Sequence, residues 1–464
     1  MAPIGGPAAV TDLGSVLDLG AEQEAAGDTE AARRTYEWAT ELAPQLAEPR
    51  RRLLALLARS GTPQARPDLW QAEVRSGADG VAWMGSMIVS AMQSRDLTAA
   101  GELAALHATL QWGSRWYPPS AAGPTSAPPD PPATNLSLSK LRHDADQFRH
   151  LRRVGVLDAD FDAIIERFDA IADRLRPIGI DGREPLQGDD LAAIGDVYGR
   201  IVHVRHTPRL ERALSPEWDR ATAEHKYLDI RPGIIVIDDF LDPPALESLR
   251  RFCLESTIWS RNRYANGRLG SLFFSGFNCP LLLQIAEEIR DALPQVIGSR
   301  YPLRQLWGYK YQPYLPPGST IHADFAAVNV NFWITPETAN EDPSSGGMVI
   351  YDTDAPLSWD FSSYNERSDL IREFLRQRNA RAIRIPYRQN RAVIFNSDLF
   401  HATDEVRFAP GYENHRINVT MLYGDREHDN HHPQISSPTS FLDPPIEAPS
   451  AWRSAAFSHR RGGR

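Results

Sequence analysis

Apolar positions in the first half of the chain recur at three- and four-residue spacing, the period of a helix with one buried face. Leu46 to Arg59, Val81 to Gly113, Leu138 to Val154, Phe161 to Leu175 and Leu191 to Val204 all read this way. Beyond residue 231 shorter blocks of a different period take over. Gly233-Ile234-Ile235-Val236-Ile237 reads as a buried strand, and Trp307 to Tyr311, Val328 to Ile334 and Gly346 to Tyr351 read as strands too. Two helices are expected among them. Asp242-Pro243 is an N-cap followed by proline at the first helical position, opening a helix through about Glu255. A second runs from Pro280 to about Leu293.

The helical half divides further. Val16, Leu19, Gly20, Ala32, Tyr36, Ala39 and Pro44 fall on the spacing of a tetratricopeptide repeat, a helix pair whose small residues let the two helices approach. One such unit cannot bury its own face. The helical patterns that follow, with Gly101 and Ala104 at small-residue positions, therefore imply a degenerate array of two or three units. Between Tyr117 and Ala133 proline, serine, alanine and glycine dominate, as in an extended linker or a long ordered crossing. The expected organisation is a repeat-like helical region over 1–115, a Pro-rich linker over 116–135 and a helical connecting segment over 136–230. A strand-rich domain over 231–430 and a polar tail over 431–464 complete it.

A length of 464 residues with 42% hydrophobic content allows two or three domains with sizeable cores. No apolar run approaches the roughly 20 residues that span a bilayer, and Met1 to Gly6 lacks the basic and apolar regions of a signal peptide. A cytoplasmic location without a membrane partner is the expectation. The net charge of −10 argues against a general nucleic-acid binder. Cys253 and Cys279 read as buried free thiols, because two cysteines make no disulfide framework. Only Lys140, Lys226 and Lys310 are lysines, so 47 of the 50 basic residues are arginine, a bias we read as coding composition and not as function.

The candidate chemistry sits in the strand-rich half. His322 and Asp324 are two apart, so on a strand both side chains would point to one face. His401 follows 77 residues after Asp324, at the end of Arg391 to Phe400, a strand running into a turn. Two imidazoles and one carboxylate on one face of an iron ion leave three coordination positions open. Fifteen residues beyond His401, Arg416 to Tyr423 alternates, placing Arg416, Asn418 and Thr420 on one face. An arginine aimed into a barrel needs a permanent anionic partner. Asn329, Asn331 and Trp333 alternate with Val328, Val330, Phe332 and Ile334, so one face of that strand is polar for a core. His428-Asp429-Asn430-His431-His432 reads as a solvated tail.

Over roughly residues 231 to 425 these features resemble the 2-oxoglutarate- and Fe(II)-dependent oxygenase superfamily, whose pattern is His-x-Asp, a distal His and a basic residue shortly after it. The resemblance implies an α+β fold with a C-terminal double-stranded β-helix (jelly-roll) and flanking helices, behind the N-terminal all-α repeat-like region. It implies that His322, Asp324 and His401 bind Fe(II), that Arg416 pairs with the distal carboxylate of 2-oxoglutarate, and that the last coordination position is kept for O2. Tyr311 lies before the Pro316-Pro317-Gly318 turn, where relatives place a tyrosine that hydrogen-bonds the cosubstrate, and Asn418 is in register to touch it as well. The presence of Asp324 implies hydroxylation over halogenation, since related halogenases give up that carboxylate.

Some prolyl and aspartyl hydroxylases of the superfamily join repeat helices to the barrel, which implies a protein or peptide side chain as substrate. The alternative is a small-molecule or carrier-bound biosynthetic intermediate. Arg416-x-Asn418-x-Thr420 is similar to the final strand of the AlkB-like nucleic-acid demethylases, but those carry a second arginine six residues on, where this chain has Leu422. A metal-binding module without turnover is the remaining reading, and the complete triad with Arg416 argues against it. The oligomeric state is left open.

Overall fold

The computed structural model describes residues 12–114, 116, 135–316 and 320–426. The Pro-rich stretch Tyr117 to Ala133, the Pro317-Gly318 step, the His428 to His432 run and the tail over 431–464 lie outside the described residues. The N-terminal part is six helices: α1 (Leu13–Ala25), α2 (Thr29–Leu42), α3 (Ala47–Arg59), α4 (Pro67–Arg75), α5 (Ala78–Gln93) and α6 (Leu97–Trp112). Asp12, Asp28 and Asp96 cap α1, α2 and α6 by accepting from a backbone N–H of the first turn. The single helix expected over Val81 to Gly113 is in fact α5 and α6. Arg95 takes a left-handed φ of 66° and Asp96 restarts the chain by capping Ala99, a local competition that apolar spacing does not register. In the first helix pair Gly20 lies against the Tyr36 ring, where a Cβ would come within 2.4 Å.

The connecting segment contains β1 (Asn135–Ser137), α7 (Leu138–Arg153), α8 (Asp160–Leu175), β2 (Arg183–Pro185), α9 (Gly188–Ile194) and α10 (Arg220–Asp229). α7 and α8 bury Leu141, Phe148, Phe161 and Phe168 in a core of their own. The helix expected over Leu191 to Val204 stops at Ile194, because Gly195 follows and Gly199 turns at a φ of 70°.

The remaining elements are β3 (Ile234–Ile237), α11 (Pro243–Glu255), β4 (Leu269–Leu272), α12 (Pro280–Ala292), β5 (Leu303–Lys310), β6 (Tyr314–Leu315), β7 (Val328–Trp333) and β8 (Met348–Asp354). After them come α13 (Ser368–Gln377), β9 (Ala382–Ile385), β10 (Ala392–Asn396), β11 (Leu399–Thr403), β12 (Val406–Arg407) and β13 (Ile417–Tyr423). Both helices expected here are present with nearly the expected limits. Asp242 forms no side-chain cap, however, and its carboxylate accepts from Arg212 instead.

The strands form an antiparallel six-stranded sheet in the order β3-β10-β7-β13-β5-β4, a three-stranded sheet β11-β8-β9 and the pair β12-β6. Alternation sorts the large sheet's side chains. Val328, Val330 and Phe332 of β7, Ile394 of β10 and Val419 and Met421 of β13 join the core formed with α11 and α12. On the other face, Trp333, Val393 and Phe395 pack with Met348 and Ile350 of the small sheet. Asn329, Asn331, Asn418 and Thr420 share that inner face, and all are buried. The helix-side core runs on without a break into α1 to α6. Leu283 of α12 lies against Gly101, His107 Nδ1 is 2.9 Å from the Phe274 carbonyl, and Ile201 N–H donates to the Trp112 carbonyl. No described helix is long and apolar enough to cross a membrane.

Candidate metal and cosubstrate site

His401 is on β11, past the turn that ends β10, whereas the sequence reading placed it at the end of the preceding strand. His322 and Asp324, by contrast, are not on a strand, where the sequence pattern had put them. They lie in a loop pinned by successive backbone amides: His322 N–H donates to the His401 carbonyl (3.0 Å), Ala323 to Tyr364 (2.8 Å) and Asp324 to Ser397 (3.1 Å). His401 N–H returns a bond of 2.8 Å to the His322 carbonyl, so a single antiparallel bridge brings the two histidines side by side. Their ring centroids are 4.4 Å apart.

The three side chains converge. Asp324 Oδ1 is 3.8 Å from His322 Nε2 and Asp324 Oδ2 is 3.5 Å from His401 Nε2, with one donor atom from each residue inside a 4.8 Å cluster. Ligands held about 2.1 Å from an ion at right angles are about 3 Å apart, so a small contraction closes this set on a metal. The tautomers suit it. Nδ1 of His322 donates to the Thr320 carbonyl and Nδ1 of His401 to the Leu399 carbonyl, both at 3.0 Å, which leaves each Nε2 lone pair free. Burial, with His401 beside it, lowers the His322 pKa to about 4, so the ring is neutral near pH 7. Burial pushes Asp324 upward, but bonding to His401, the His322 ring and the Asn329 amide outweighs it and holds the carboxylate below its ordinary value.

The polar inner face of β7 and β13 is one hydrogen-bonded ladder that begins at this carboxylate. Asn329 Nδ2 donates to Asp324 Oδ2 (2.5 Å), Asn331 to Asn329 (2.6 Å), and Asn418 to both Asn331 and Thr420 (2.9 Å each). Trp333 Nε1 donates to Asn418 Oδ1 at 2.8 Å. Both amide hydrogens of Asn418 are thus consumed within the protein, and its geometry is that of a brace beneath the cavity floor. Satisfied in this way, buried amides carry little of the usual desolvation cost.

Arg416 stands at the start of β13, 1% exposed. Its Nε donates to the Gly346 carbonyl (2.6 Å) and Nη2 to the Gly347 carbonyl (3.1 Å), while the buried Nη1 has no partner. A Cβ at Gly347 would stand 2.0 Å from the Ile385 carbonyl, so only glycine lets this backbone lie between β9 and the guanidinium. Tyr311, Trp333 and Tyr387 surround the group at 4.6, 5.4 and 5.9 Å from their ring centroids. Burial pulls its pKa down, and no carboxylate answers it. Tyr311, just past β5, bonds through its hydroxyl to Thr403 Oγ1 at 3.0 Å.

His322, Asp324, His401, Arg416, Asn418 and Tyr311 all line one cavity of about 660 Å³. The structure brings these six candidate residues together, with Asn331 and Thr420, while Asn329 and Trp333 lie outside the lining. It adds some that were not singled out from the sequence. Trp307 and Tyr309 line the cavity with Tyr311, at alternate positions that the strand period does predict. Arg268 and Tyr264, from the loop before β4, carried no sequence signal.

No family model matches the chain, and no curated protein matches it. Among solved structures it is similar to the non-heme alpha ketoglutarate dependent carbocyclase SnoK from nogalamycin biosynthesis, at 12% identity and a TM-score of 0.34 over 52% of this chain and 98% of that one. It is similar to a prolyl-4-hydroxylase of Pseudomonas putida at 13% identity and a TM-score of 0.27, over 47% of this chain and 97% of that one. HygX from Streptomyces hygroscopicus, with nickel and 2-oxoglutarate bound, is similar at 12% identity and a TM-score of 0.29, over 42% and 84%. Likenesses this distant assign nothing by themselves, and the reading of the site rests on the geometry around His322, Asp324, His401 and Arg416.

Proposed function

We propose that the protein is an Fe(II)- and 2-oxoglutarate-dependent oxygenase. The observation that carries this is Arg416: a guanidinium buried to 1% exposure, with an unpartnered Nη1 and no carboxylate, opens into the cavity that holds two histidines and an aspartate. A permanent cation desolvated without a counter-charge is costly, and an anionic ligand removes the cost. His322, Asp324 and His401 would hold the metal, and Arg416 would take the far carboxylate of 2-oxoglutarate with Tyr311 beside it. When bound, the pair supplies oxidative decarboxylation to succinate and carbon dioxide, coupled to oxidation of a C–H bond by O2. Three protein ligands leave room for both the cosubstrate and the gas. The Asn329 to Asn418 ladder keeps Asp324 oriented and deprotonated. The two facing sheets support reading the domain as a double-stranded β-helix.

Hydroxylation of a protein or peptide side chain is the first substrate class to test, on the company of the N-terminal helices. A small-molecule substrate is the second, and one observation favours it: every residue lining the cavity lies at or beyond Arg263, none in α1 to α6. The core assignment is tested by anaerobic Fe(II) titration and by succinate formation from 2-oxoglutarate without substrate. His401→Ala should weaken Fe(II) binding by about a hundredfold and abolish succinate formation, with the fold retained. Unchanged iron affinity in that variant, or a wild-type chain that makes no succinate, overturns the reading.

A further inference from the structure

The cavity holds a second arginine that the proposed reaction does not use. Arg268 precedes β4, and its side chain is enclosed by three tyrosine rings: the centroids of Tyr309, Tyr264 and Tyr311 are 4.6, 4.8 and 5.7 Å from its Cζ. Its Nε is buried without a partner. Its electrostatic neighbours are the hydroxyls of those tyrosines, and no carboxylate among the described residues pairs with it. The two guanidiniums share Tyr311, which is pushed up by burial and yet held below its ordinary pKa by Arg268 and Arg416 together.

Charge decides what Arg268 is for, on the reading of the reaction given above. A metal dication, Asp324 and Arg416 together carry two positive charges, which 2-oxoglutarate with its two carboxylates cancels. The other charged residues lining the cavity, Arg263 and Asp360, are exposed at its edge, where water screens them. Arg268 is the remaining inner charge, a half-buried cation beside a neutral assembly. A carboxylate on the substrate balances it. A phosphate dianion would overshoot.

We infer that Arg268, with Tyr264 and Tyr309, is the subsite for a carboxylate on the substrate, and that it sets which end of that molecule enters the cavity. Trp307, Phe361 and Leu272 line the same space and suit an apolar body behind the anionic group. The subsite is built in advance. Arg183 of β2 donates to the carbonyls of Asn262 (2.6 and 3.0 Å) and Tyr264 (3.2 Å), and Asn262 Nδ2 donates to the Asn135 carbonyl (2.7 Å) and Ser137 Oγ (3.1 Å). Asn266 and Gly267 turn the loop at φ of 57° and 66°, and Gln312 holds the Gly267 carbonyl at 3.3 Å. The connecting segment thus fixes the loop that presents Arg268. Holding a charged group before the ligand arrives lowers the ordering cost of binding.

The full chain loaded with Mn(II) and 2-oxoglutarate tests this without turnover. Hexanoate and its neutral counterpart hexanamide are titrated, and Mn(II)-induced relaxation of their protons reports binding near the triad. Hexanoate should bind at least about tenfold more tightly than hexanamide, and Arg268→Met should erase the difference while changing 2-oxoglutarate affinity by less than about threefold. Arg268→Lys should retain part of the preference. Equal binding of hexanoate and hexanamide by the wild type overturns the proposal, as does inorganic phosphate displacing hexanoate preferentially. So does an Arg268→Met variant that loses 2-oxoglutarate as Arg416→Met does, since Arg268 would then belong to the cosubstrate. A wild-type chain that takes up no 2-oxoglutarate sinks the parent reading instead.

Discussion

Strand β5 separates two clusters of charge that are built on opposite rules. On one face, Tyr309 and the following Tyr311 look into the cavity of Arg416 and Arg268. On the other, Lys310 points into a cluster with α7. Lys310 Nζ donates to Tyr412 Oη (2.8 Å) and lies 3.2 Å from His143 Nε2. His143 Nδ1 is 3.0 Å from Asp144 Oδ1, and Asp144 Oδ2 is 2.5 Å from Lys140 Nζ. That cluster neutralises itself. Asp144 answers Lys140, and burial lowers the Lys310 pKa to about 7, so its proton is readily shed. Glu73, fully buried and met by Arg50 and Arg51, follows the same rule. Across the strand two arginines, which cannot shed a proton, have no carboxylate of their own, Arg416 buried and Arg268 half-buried. On the function proposed here, the cluster that neutralises itself serves the fold, and the two arginines without a carboxylate are the ones that would meet anionic ligands.

Removing a charge from each side should therefore have opposite effects on the ligand-free protein. The largest effect is expected from Arg416→Met. Affinity for 2-oxoglutarate by calorimetry should fall at least about a hundredfold, on the order of 3–5 kcal/mol, with Fe(II) binding kept. The ligand-free fold should be as stable as the wild type or more so, because an uncompensated cation has gone. Lower stability together with unchanged 2-oxoglutarate affinity would place Arg416 in the structural class. Next is Asp144→Asn, which strands Lys140 beside a neutral amide. Urea unfolding should show a loss of about 3 kcal/mol, with 2-oxoglutarate affinity unchanged. A cosubstrate defect there would show that the two clusters are coupled through β5.

The smallest effect concerns the joint between α6 and the sheet domain. Burial lowers the His107 pKa to about 4, and its ring donates to the Phe274 carbonyl while Nε2 stays unpartnered. Because the folded value lies below the unfolded one of about 6.5, the unfolded chain binds more protons in this window. The contribution of His107 is complete above about pH 6.5 and is lost as pH falls towards about 4. His107→Asn keeps a donor for Phe274 and removes the titration, so its urea midpoint should fall less steeply between pH 6.5 and pH 4 than the wild type's. His322 and His415, also depressed by burial, leave a residual slope. Identical slopes would show that the joint does not sense pH.

The residues proposed here to hold a metal and a cosubstrate were legible in the sequence by itself, because each depends on a short-range rule. A His-x-Asp step, a distal histidine and an arginine at the head of an alternating strand are visible in the order of residues, and the observed cavity gathers all of them. Alternation along Val328 to Trp333 and Arg416 to Tyr423 likewise announced a polar inner face. That the asparagines form one ladder from Asp324 to Trp333 depends on the register of β7 against β13, which pairs Thr420 with Asn331 and Asn418 with Trp333. The helix breaks at Arg95 and Gly195 were hidden by apolar periodicity that continues across them. Arg268 could not be found at all in a chain with 47 arginines, since nothing local distinguishes one that lines a cavity. Tertiary structure alone decided which guanidiniums lost their water, because burial is a property of what the rest of the chain places around a side chain. It also decided, through the shared core under α6, that the N-terminal helices pack against the sheet domain.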